Sequence, residues 1–317
     1  MKLYFDHNVY ARITDRNEVG LVEDWLHATG NSILSSQVTL LEALRIPGDA
    51  DRAARIRTIT RLCPSFPTPH AFLDARELRD ELKRVRSSWL RARPDTAAID
   101  LHLNDHRRQW RSMRADPSYR SPEFGHVEAV LGPGVGVVRD FHSAGRALAQ
   151  RDTGGQTTQD MAALLDAAWR IESMAVWHGA LFERNPVMRD YWDYLSPYLL
   201  PIEITEGDWQ KFWLRHCSAD RLPRARTLAL AGFFQQRHPI SAGNALDTLH
   251  AVGLLYCDVF LTGDRAFHDA LRGLRPWLPF GGKPILLDAK DSVAAQLEIL
   301  LNVAEAPRRR HNLSSQP

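Results

Sequence analysis

Cysteine, lysine and long apolar runs are all scarce in this chain of 317 residues. The three cysteines, Cys63, Cys217 and Cys257, are odd in number and far apart, and no C-x-x-C pair occurs. This excludes a disulfide framework and a cysteine-based zinc cluster, and it is typical of a reducing compartment. No stretch reaches the ~18 apolar residues of a membrane span, and the start lacks the basic and apolar regions of a secretory signal. We therefore expect a cytoplasmic protein.

The basic residues are almost all arginine. Five of the 40 Lys and Arg residues are lysine, which leaves 35 arginines, and the net charge of +2 is too small to identify a partner. The planar guanidinium group suits phosphate, but codon usage in a GC-rich genome also explains the excess, and we prefer that explanation. With 44% hydrophobic and 25% charged residues, the composition is that of a globular protein of one large domain or two modest ones.

Short apolar strands alternate with helices near both ends of the chain. The strands are predicted at Lys2–Phe5, Ser32–Leu34, Asp258–Leu261 and Pro284–Leu287. A helix or turn is predicted at Asn8–Ile13, and helices are predicted at Gln37–Arg45, Asn244–Tyr256, Asp264–Leu271 and Ser292–Ala304. Ser35 or Ser36 can cap the helix Gln37–Arg45, which Pro47-Gly48 ends. This alternation predicts a parallel sheet formed by both ends together.

The middle of the chain has helical periodicity. The clearest helices are predicted at Phe72–Arg93, Ile99–Arg114, Met161–Ala180 and Trp209–Cys217, and residues 116–123, 131–136 and 151–158 resemble loops. We therefore predict a three-layer α/β/α core formed by residues 1–50 and 236–305. A large, mainly helical insertion is predicted at 51–235, and a flexible tail at 306–317.

Acidic residues are predicted at the edge of the sheet where the parallel strands end, which is where such sheets usually bind their ligands. Asp6 follows the first strand and Asp264 follows a later one, so both belong to the edge where parallel strands end. Glu42 and Asp247 each lie a few residues into a helix, from where their side chains can reach the same edge. Crowded carboxylates repel one another unless a cation lies among them, and oxygen ligands suit Mg²⁺ or Mn²⁺. A lone Asp in such a position is more often a turn or cap residue. The evidence is therefore the set of four together, which favours metal-dependent phosphodiester hydrolysis.

The same residues carry a resemblance to a known family. Leu3-Tyr4-Phe5-Asp6-His7-Asn8 resembles the D-x-N opening strand of PIN-domain ribonucleases, and Leu40-Leu41-Glu42-Ala43 resembles their glutamate-bearing helix. Ala245-Leu246-Asp247-Thr248 and the later Phe260-Leu261-Thr262-Gly263-Asp264 are similar to the family's helical Asp and its strand ending in T-x-D. The resemblance covers about residues 1–50 and 240–290.

The resemblance implies a PIN-like fold whose metal-binding and catalytic residues are Asp6, Glu42, Asp247 and Asp264. Asn8 and Thr262 become supporting polar residues near the Mg²⁺ or Mn²⁺ ion, and His7, His250 and His268 are taken as neighbours rather than ligands. Asp258 opens its strand at the far end and is left out. The implied activity is endonucleolytic cleavage of RNA by a toxin restrained by an antitoxin or other regulatory protein, or by a nuclease of RNA processing or defence. A homodimeric assembly is left open.

Size sets the chain apart from compact PIN domains, because 205 positions (247 − 42) separate Glu42 from Asp247. The main alternative is a haloacid dehalogenase-like phosphohydrolase, whose motif residues 263–269 fit. Such an enzyme needs a general acid at the position where this chain has Asn8. This alternative also gives Asp247 no role. A second alternative is a non-catalytic RNA-binding PIN-like protein, against which the complete carboxylate set argues. Nucleotide binding by residues 131–136 lacks the G-K-[ST] of a P-loop.

The segment from Arg52 to Arg114 is basic, with 15 Lys and Arg against 7 Asp and Glu. Interleaved Trp89 and Trp110 could stack on bases while arginines such as Arg84, Arg86 and Arg91 contact phosphates. The other interpretation, which we prefer, is a solvated face of long helices with both tryptophans in the core. The basic run at residues 308–310 is interpreted as part of a solvated tail.

Overall fold

The computed structural model describes residues 1–34, 36–119, 158–200, 203–235 and 244–300. Several segments named above lie outside the described residues. They are Ser35, the glycine-rich residues 131–136, residues 120–123 and 151–157 of the two neighbouring loops, and everything after 300, with the arginines at 308–310 and the tail at 306–317.

Four parallel strands form one sheet in the order β2-β1-β3-β4. The strands are β1 (Lys2–Phe5), β2 (Ser32–Leu34), β3 (Val259–Thr262) and β4 (Lys283–Leu286). The central pair joins distant parts of the chain, since Leu3 is in register with Val259 and Phe5 with Leu261. The protein is therefore an α/β protein whose sheet is completed by residues near both ends of the sequence, as the pattern predicts.

Helices account for most of the remaining described chain. The helices before residue 120 are α1 (His7–Asp15), α2 (Val19–Thr29), α3 (Gln37–Leu44), α4 (Asp49–Leu62), α5 (His70–Val85) and α6 (Ala97–Ala115). Those after it are α7 (Thr158–Leu181), α8 (Arg189–Leu195), α9 (Glu206–Lys211), α10 (Pro223–Gln235), α11 (Asn244–Ala251), α12 (Arg265–Leu274) and α13 (residues 293–300). Among the described helices, none has both the length and the apolar character needed to cross a bilayer.

Helices pack on both faces of the sheet, because alternate strand residues point to opposite sides. Leu3 and Phe5 share one buried cluster with side chains from α1, α2, α4 and the end of α6. Tyr4, between them in sequence, belongs to a second cluster that includes Phe260 and the aromatic residues of the middle segment. The arrangement is compatible with a three-layer α/β/α fold.

The middle segment is helical in its described parts and is joined to the sheet by a shared core. Trp169, Trp209 and Trp213 are all fully buried in the cluster that also contains Tyr4. A buried ion pair between Asp74 of α5 and Arg224 of α10 fixes two of its helices to each other. Because Ile56, Trp110 and Met113 belong to the other cluster, with Leu3 and Phe5, the segment packs on both faces of the sheet rather than forming a core of its own.

Several helix ends differ from the sequence-based bounds. The helix predicted over Phe72–Arg93 ends at Val85 and is followed by a 3₁₀ turn at Ser87–Trp89. The one predicted over Asn244–Tyr256 ends at Ala251, where a 3₁₀ turn at Val252–Leu255 takes over. Both helices were predicted too long because the spacing of apolar residues continues through the tighter 3₁₀ turns, in which Trp89 and Leu254 are buried. Helices α2, α4, α8 and α10 were not predicted.

Candidate metal centre

Asp6 lies in the innermost part of the candidate site, directly after β1. Its side chain is 3% exposed, and one of its oxygens, Oδ2, accepts hydrogen bonds from Thr262 Oγ1 at 2.7 Å and from Asn8 Nδ2 at 2.6 Å. Burial raises the pKa of Asp6, and the negative charge of Glu42 raises it further, against the attraction of His250. Asp6 is thus held in one orientation by two donors, while burial disfavours its ionised form.

The structure confirms that Asn8 and Thr262 are neighbours of Asp6. Asn8 uses both ends of its amide, since its Nδ2 donates to Asp6 while its Oδ1 accepts from the backbone N of Gly263 at 2.7 Å. Thr262 ends β3 in the strand next to β1, so its hydroxyl reaches the carboxylate from the neighbouring strand end. Asp258, at the opposite end of this strand, accepts from the backbone N of Lys2 and is remote from the site.

Glu42 is positioned by α3 and paired with a buried histidine. The helix begins after Ser36, whose side chain accepts from the backbone N of Thr39 and so satisfies one free N–H of the first turn. Glu42 Oε2 lies 2.7 Å from Nε2 of His250, which is 0% exposed. Burial alone would raise the pKa of Glu42, but the attraction of His250 lowers it. This carboxylate is therefore ionised at neutral pH.

His250 is the functional candidate that sequence reasoning placed among the neighbours. Its Nδ1 lies 2.6 Å from the hydroxyl of Tyr4, so both ring nitrogens have partners. Burial alone would lower the pKa of His250, but its contacts with Tyr4, Glu42 and Asp6 raise it well above the ordinary value. The signal in the sequence is the spacing of three between Asp247 and His250, which places both on one face of a helix.

Asp247 lies on α11 and adds a third carboxyl group to the same region. Burial, together with the charges of Asp6, Glu42 and Asp264, raises its pKa to about 8, against the attraction of His250. Asp247 therefore lies near enough to the other three sequence-predicted carboxyl groups for their charges to act on it, although it is not part of the tightest group of ligand atoms.

Asp264 differs from the other three because it is exposed and already has a structural role. It is the N-cap of α12, where its Oδ1 accepts from the backbone N of Phe267 at 2.9 Å. Its own backbone N donates to Thr262 Oγ1 at 3.0 Å, which fixes the turn after β3. Asp264 lies at the rim of the site, where it acts on Asp247 through its charge.

The tightest group of ligand atoms combines two carboxylates with one imidazole. One atom each from Asp6, Glu42 and His250 lie within 4.8 Å of one another, the only such group of three or more His, Cys, Asp or Glu residues among the described parts of the chain. A divalent cation fits here, because it would neutralise the buried carboxylate of Asp6, whose ionised form burial otherwise disfavours. Of the other histidines, His7 is next to Asp6 in sequence, and His268 lies beside Asp269 on α12.

The aromatic part of the expected RNA-binding surface is not at the surface. Trp89 and Trp110 are 5% and 3% exposed, so the preferred interpretation of both as core residues is confirmed and stacking of bases on them is wrong. Arg84 pairs with Glu81, and the Nε of Arg91 donates to the backbone oxygen of Leu199. The middle segment thus uses these arginines partly to bind its own chain.

Comparisons with known proteins add no relative to this description. No family model, no curated protein and no solved structure matches the chain.

Proposed function

We propose that the protein is a metal-dependent endoribonuclease with a PIN-like core. The observation that carries the proposal is the cluster of Asp6, Glu42 and His250, whose ligand atoms lie within 4.8 Å of one another beside the end of β1, with Asp247 and Asp264 near enough for their charges to interact. Such a set is costly without a cation and suits Mg²⁺ or Mn²⁺ with one. The D-x-N and T-x-D motifs that resemble PIN-domain ribonucleases provide these residues.

Each group has a task in the proposed reaction. Asp6 and Glu42 hold the cation, and Thr262 and Asn8 keep Asp6 in the orientation this requires. Asp247 on α11, whose raised pKa a bound cation would lower, then adds negative charge, and Asp264 extends that charge to the rim. A bound divalent cation would supply a water molecule of lowered pKa and would offset the charge of the phosphodiester.

The geometry of Asn8 favours a nuclease over a haloacid dehalogenase-like phosphohydrolase. That alternative requires a general acid at this position, two residues after Asp6. Here an amide stands in its place, with Nδ2 donating to Asp6 and Oδ1 accepting from Gly263. An amide held at both ends transfers no proton, so the position serves to orient Asp6.

The test is RNA cleavage by the wild type beside Asp6→Asn and Asp247→Asn, with Mg²⁺ or Mn²⁺ present. We expect cleavage by the wild type and loss of about 10²-fold or more in each variant, since each removes charge that steadies the cation. Asp258→Asn is the matched control, because it changes an Asp at the opposite end of β3. Equal cleavage by the wild type and both site variants would rule the proposal out, and so would a wild type that cleaves equally well in excess EDTA.

A further inference from the structure

His250 has the position of a ligand. It is fully buried, its Nε2 lies 2.7 Å from Glu42 Oε2, and a ligand atom of each lies within 4.8 Å of one from Asp6. We infer that His250 Nε2 is the third protein ligand of the metal centre, which makes the centre a mixed oxygen and nitrogen site. The inference rests on the proposed function only in that the site holds a divalent cation.

The hydrogen bonds around Tyr4 determine which nitrogen of His250 faces the site. The Tyr4 hydroxyl donates to Ser36 Oγ at 2.7 Å, so towards His250 Nδ1 at 2.6 Å it presents a lone pair. Ser36 Oγ also accepts from the backbone N of Thr39 and has Thr39 Oγ1 at 3.1 Å to receive its own proton. The donors and acceptors therefore all match when both ring nitrogens are protonated, so that Nδ1 donates to Tyr4 and Nε2 donates to Glu42.

A divalent cation that binds here would displace the Nε2 proton and take up the lone pair of that nitrogen, while the Nδ1 proton continues to bond to Tyr4. Metal-binding histidines almost always donate their other ring N–H to a neighbouring acceptor, which fixes the tautomer and the direction of the ring. Tyr4 is that acceptor here, and it is held in place by stacking on Phe260 at 4.7 Å. Tyr4 and Ser36 are accordingly positioning residues, because Tyr4 contacts the ligand and Ser36 holds Tyr4.

The nitrogen ligand changes which ion the site prefers. Mg²⁺ favours oxygen ligands and keeps several waters, whereas later divalent metals accept imidazole more readily. Two carboxylates with one imidazole thus favour Mn²⁺ over Mg²⁺. An all-carboxylate centre, the arrangement implied by the motifs alone, would not show this preference to the same extent.

Pulsed electron paramagnetic resonance of the full chain with bound Mn²⁺ tests the ligand directly, because an imidazole nitrogen on the ion gives a characteristic coupling. We expect this coupling in the wild type, a changed coupling when histidine carries ¹⁵N, and no coupling in His250→Gln. His268→Gln is the matched control and keeps the coupling. Tyr4→Phe removes the positioning hydroxyl alone and is expected to keep the coupling while Mn²⁺ affinity falls by about tenfold or more.

The outcomes separate the ligand from the nuclease. Bound Mn²⁺ without nitrogen coupling in the wild type overturns the inference, and so does a coupling that survives in His250→Gln. In either case the nuclease proposal stands if Asp6→Asn still abolishes cleavage. Nitrogen coupling in a protein that cleaves no RNA would support His250 as a ligand and contradict the proposed nuclease function. Should His250→Gln fail to fold, the ¹⁵N-labelled wild type and the Tyr4→Phe variant decide the matter.

Discussion

The hydroxyl of Thr262 donates a 2.7 Å hydrogen bond to Oδ2 of Asp6, across 256 positions of sequence. Both residues stand at the ends of neighbouring strands, and Thr262 is 0% exposed, so water does not replace this bond. The orientation of the buried carboxylate therefore depends on the register of β1 with β3.

Replacing Thr262 by Val should lower both stability and cleavage. The change keeps the shape but removes the donor to Asp6, and a buried acceptor that loses its partner costs about 1–3 kcal/mol. Thr262→Ser keeps the hydroxyl and is the control. Urea unfolding and RNA cleavage with Mn²⁺ measure the two effects. A valine variant that is as stable and as active as the serine variant would show that the bond does not orient Asp6.

The ion pair between Asp74 and Arg224 predicts a strong effect on stability away from the metal centre. Their side chains are 5% and 3% exposed, and Arg224 also donates to Tyr256 and to the backbone oxygen of His70. Arg224→Met should lower the free energy of unfolding by about 3–5 kcal/mol, because it leaves the Asp74 charge buried alone.

The matched variant removes both charges. Asp74→Leu combined with Arg224→Met should recover much of the lost stability, since a buried pair replaced by apolar groups is often neutral. Urea midpoints of the two variants and the wild type give the comparison. A double variant less stable than Arg224→Met alone would contradict the reasoning.

Glu172 predicts a pH dependence that arises in the middle segment. It lines a cavity of about 40 Å³ with Asp74, Glu77 and Trp177, and it forms no hydrogen bond within the described parts of the chain. Burial raises its pKa from 4.5 to about 8, so the folded protein binds its proton more tightly than the unfolded chain does. Its contribution to stability is then complete below about pH 4.5 and is lost as the pH rises towards about 8.

Glu172→Gln should therefore flatten the loss of stability between about pH 5 and about pH 8. Glu77 shares the cavity and has a pKa raised to about 8 chiefly by burial, so part of the slope remains in the variant. Asp74 also lines this cavity, and its charge is neutralised by the ion pair with Arg224. Urea unfolding at several pH values tests this, and identical slopes in the variant and the wild type would disprove it.

Gly253 sets the space available to Tyr4. A Cβ atom at this position would lie 2.6 Å from the Tyr4 ring, closer than packed atoms approach. Gly253→Ala should move Tyr4 away from His250 and Ser36 and lower the free energy of unfolding by about 1–3 kcal/mol. Gly207→Ala is the control, since a Cβ there meets nothing within 4 Å. Thermal unfolding distinguishes the two, and equal stability of both variants would contradict the packing argument.

The positions of Asp6 and Asp264 at one edge of the sheet could be predicted from the sequence, because they depend only on local sequence pattern. A strand ending in Asp places that residue at the carboxyl edge of a parallel sheet wherever the rest of the chain goes. Asp6 and Asp264 follow this rule, although the rule does not distinguish a helix cap such as Asp264 from a buried carboxyl group such as Asp6.

The partners of His250 could not be predicted in the same way. Its contacts with Tyr4 and Glu42 join positions 246 and 208 apart in sequence, and they depend on how α3 and α11 pack. The middle helices posed a related difficulty. The spacing of Trp89 in the sequence is the same whether it faces solvent or the core. Trp89 is buried because α9 and the turn that follows it bring Trp209 and Phe212 against its ring, and that packing cannot be read from local sequence.

The pairing of β1 with β3 has a consequence for synthesis of the chain. Strand β1 is made first, yet one of its two neighbours in the sheet appears some 250 residues later. Until then the nascent chain exposes one edge of β1 and the apolar residues around it, which is the situation in which chains aggregate or need chaperones. Thr262 reaches Asp6 only when that edge is closed, so a ribosome-bound fragment that ends before β3 has an incomplete candidate metal centre. The proposed nuclease would therefore be assembled late in translation, after the surrounding helices have been made.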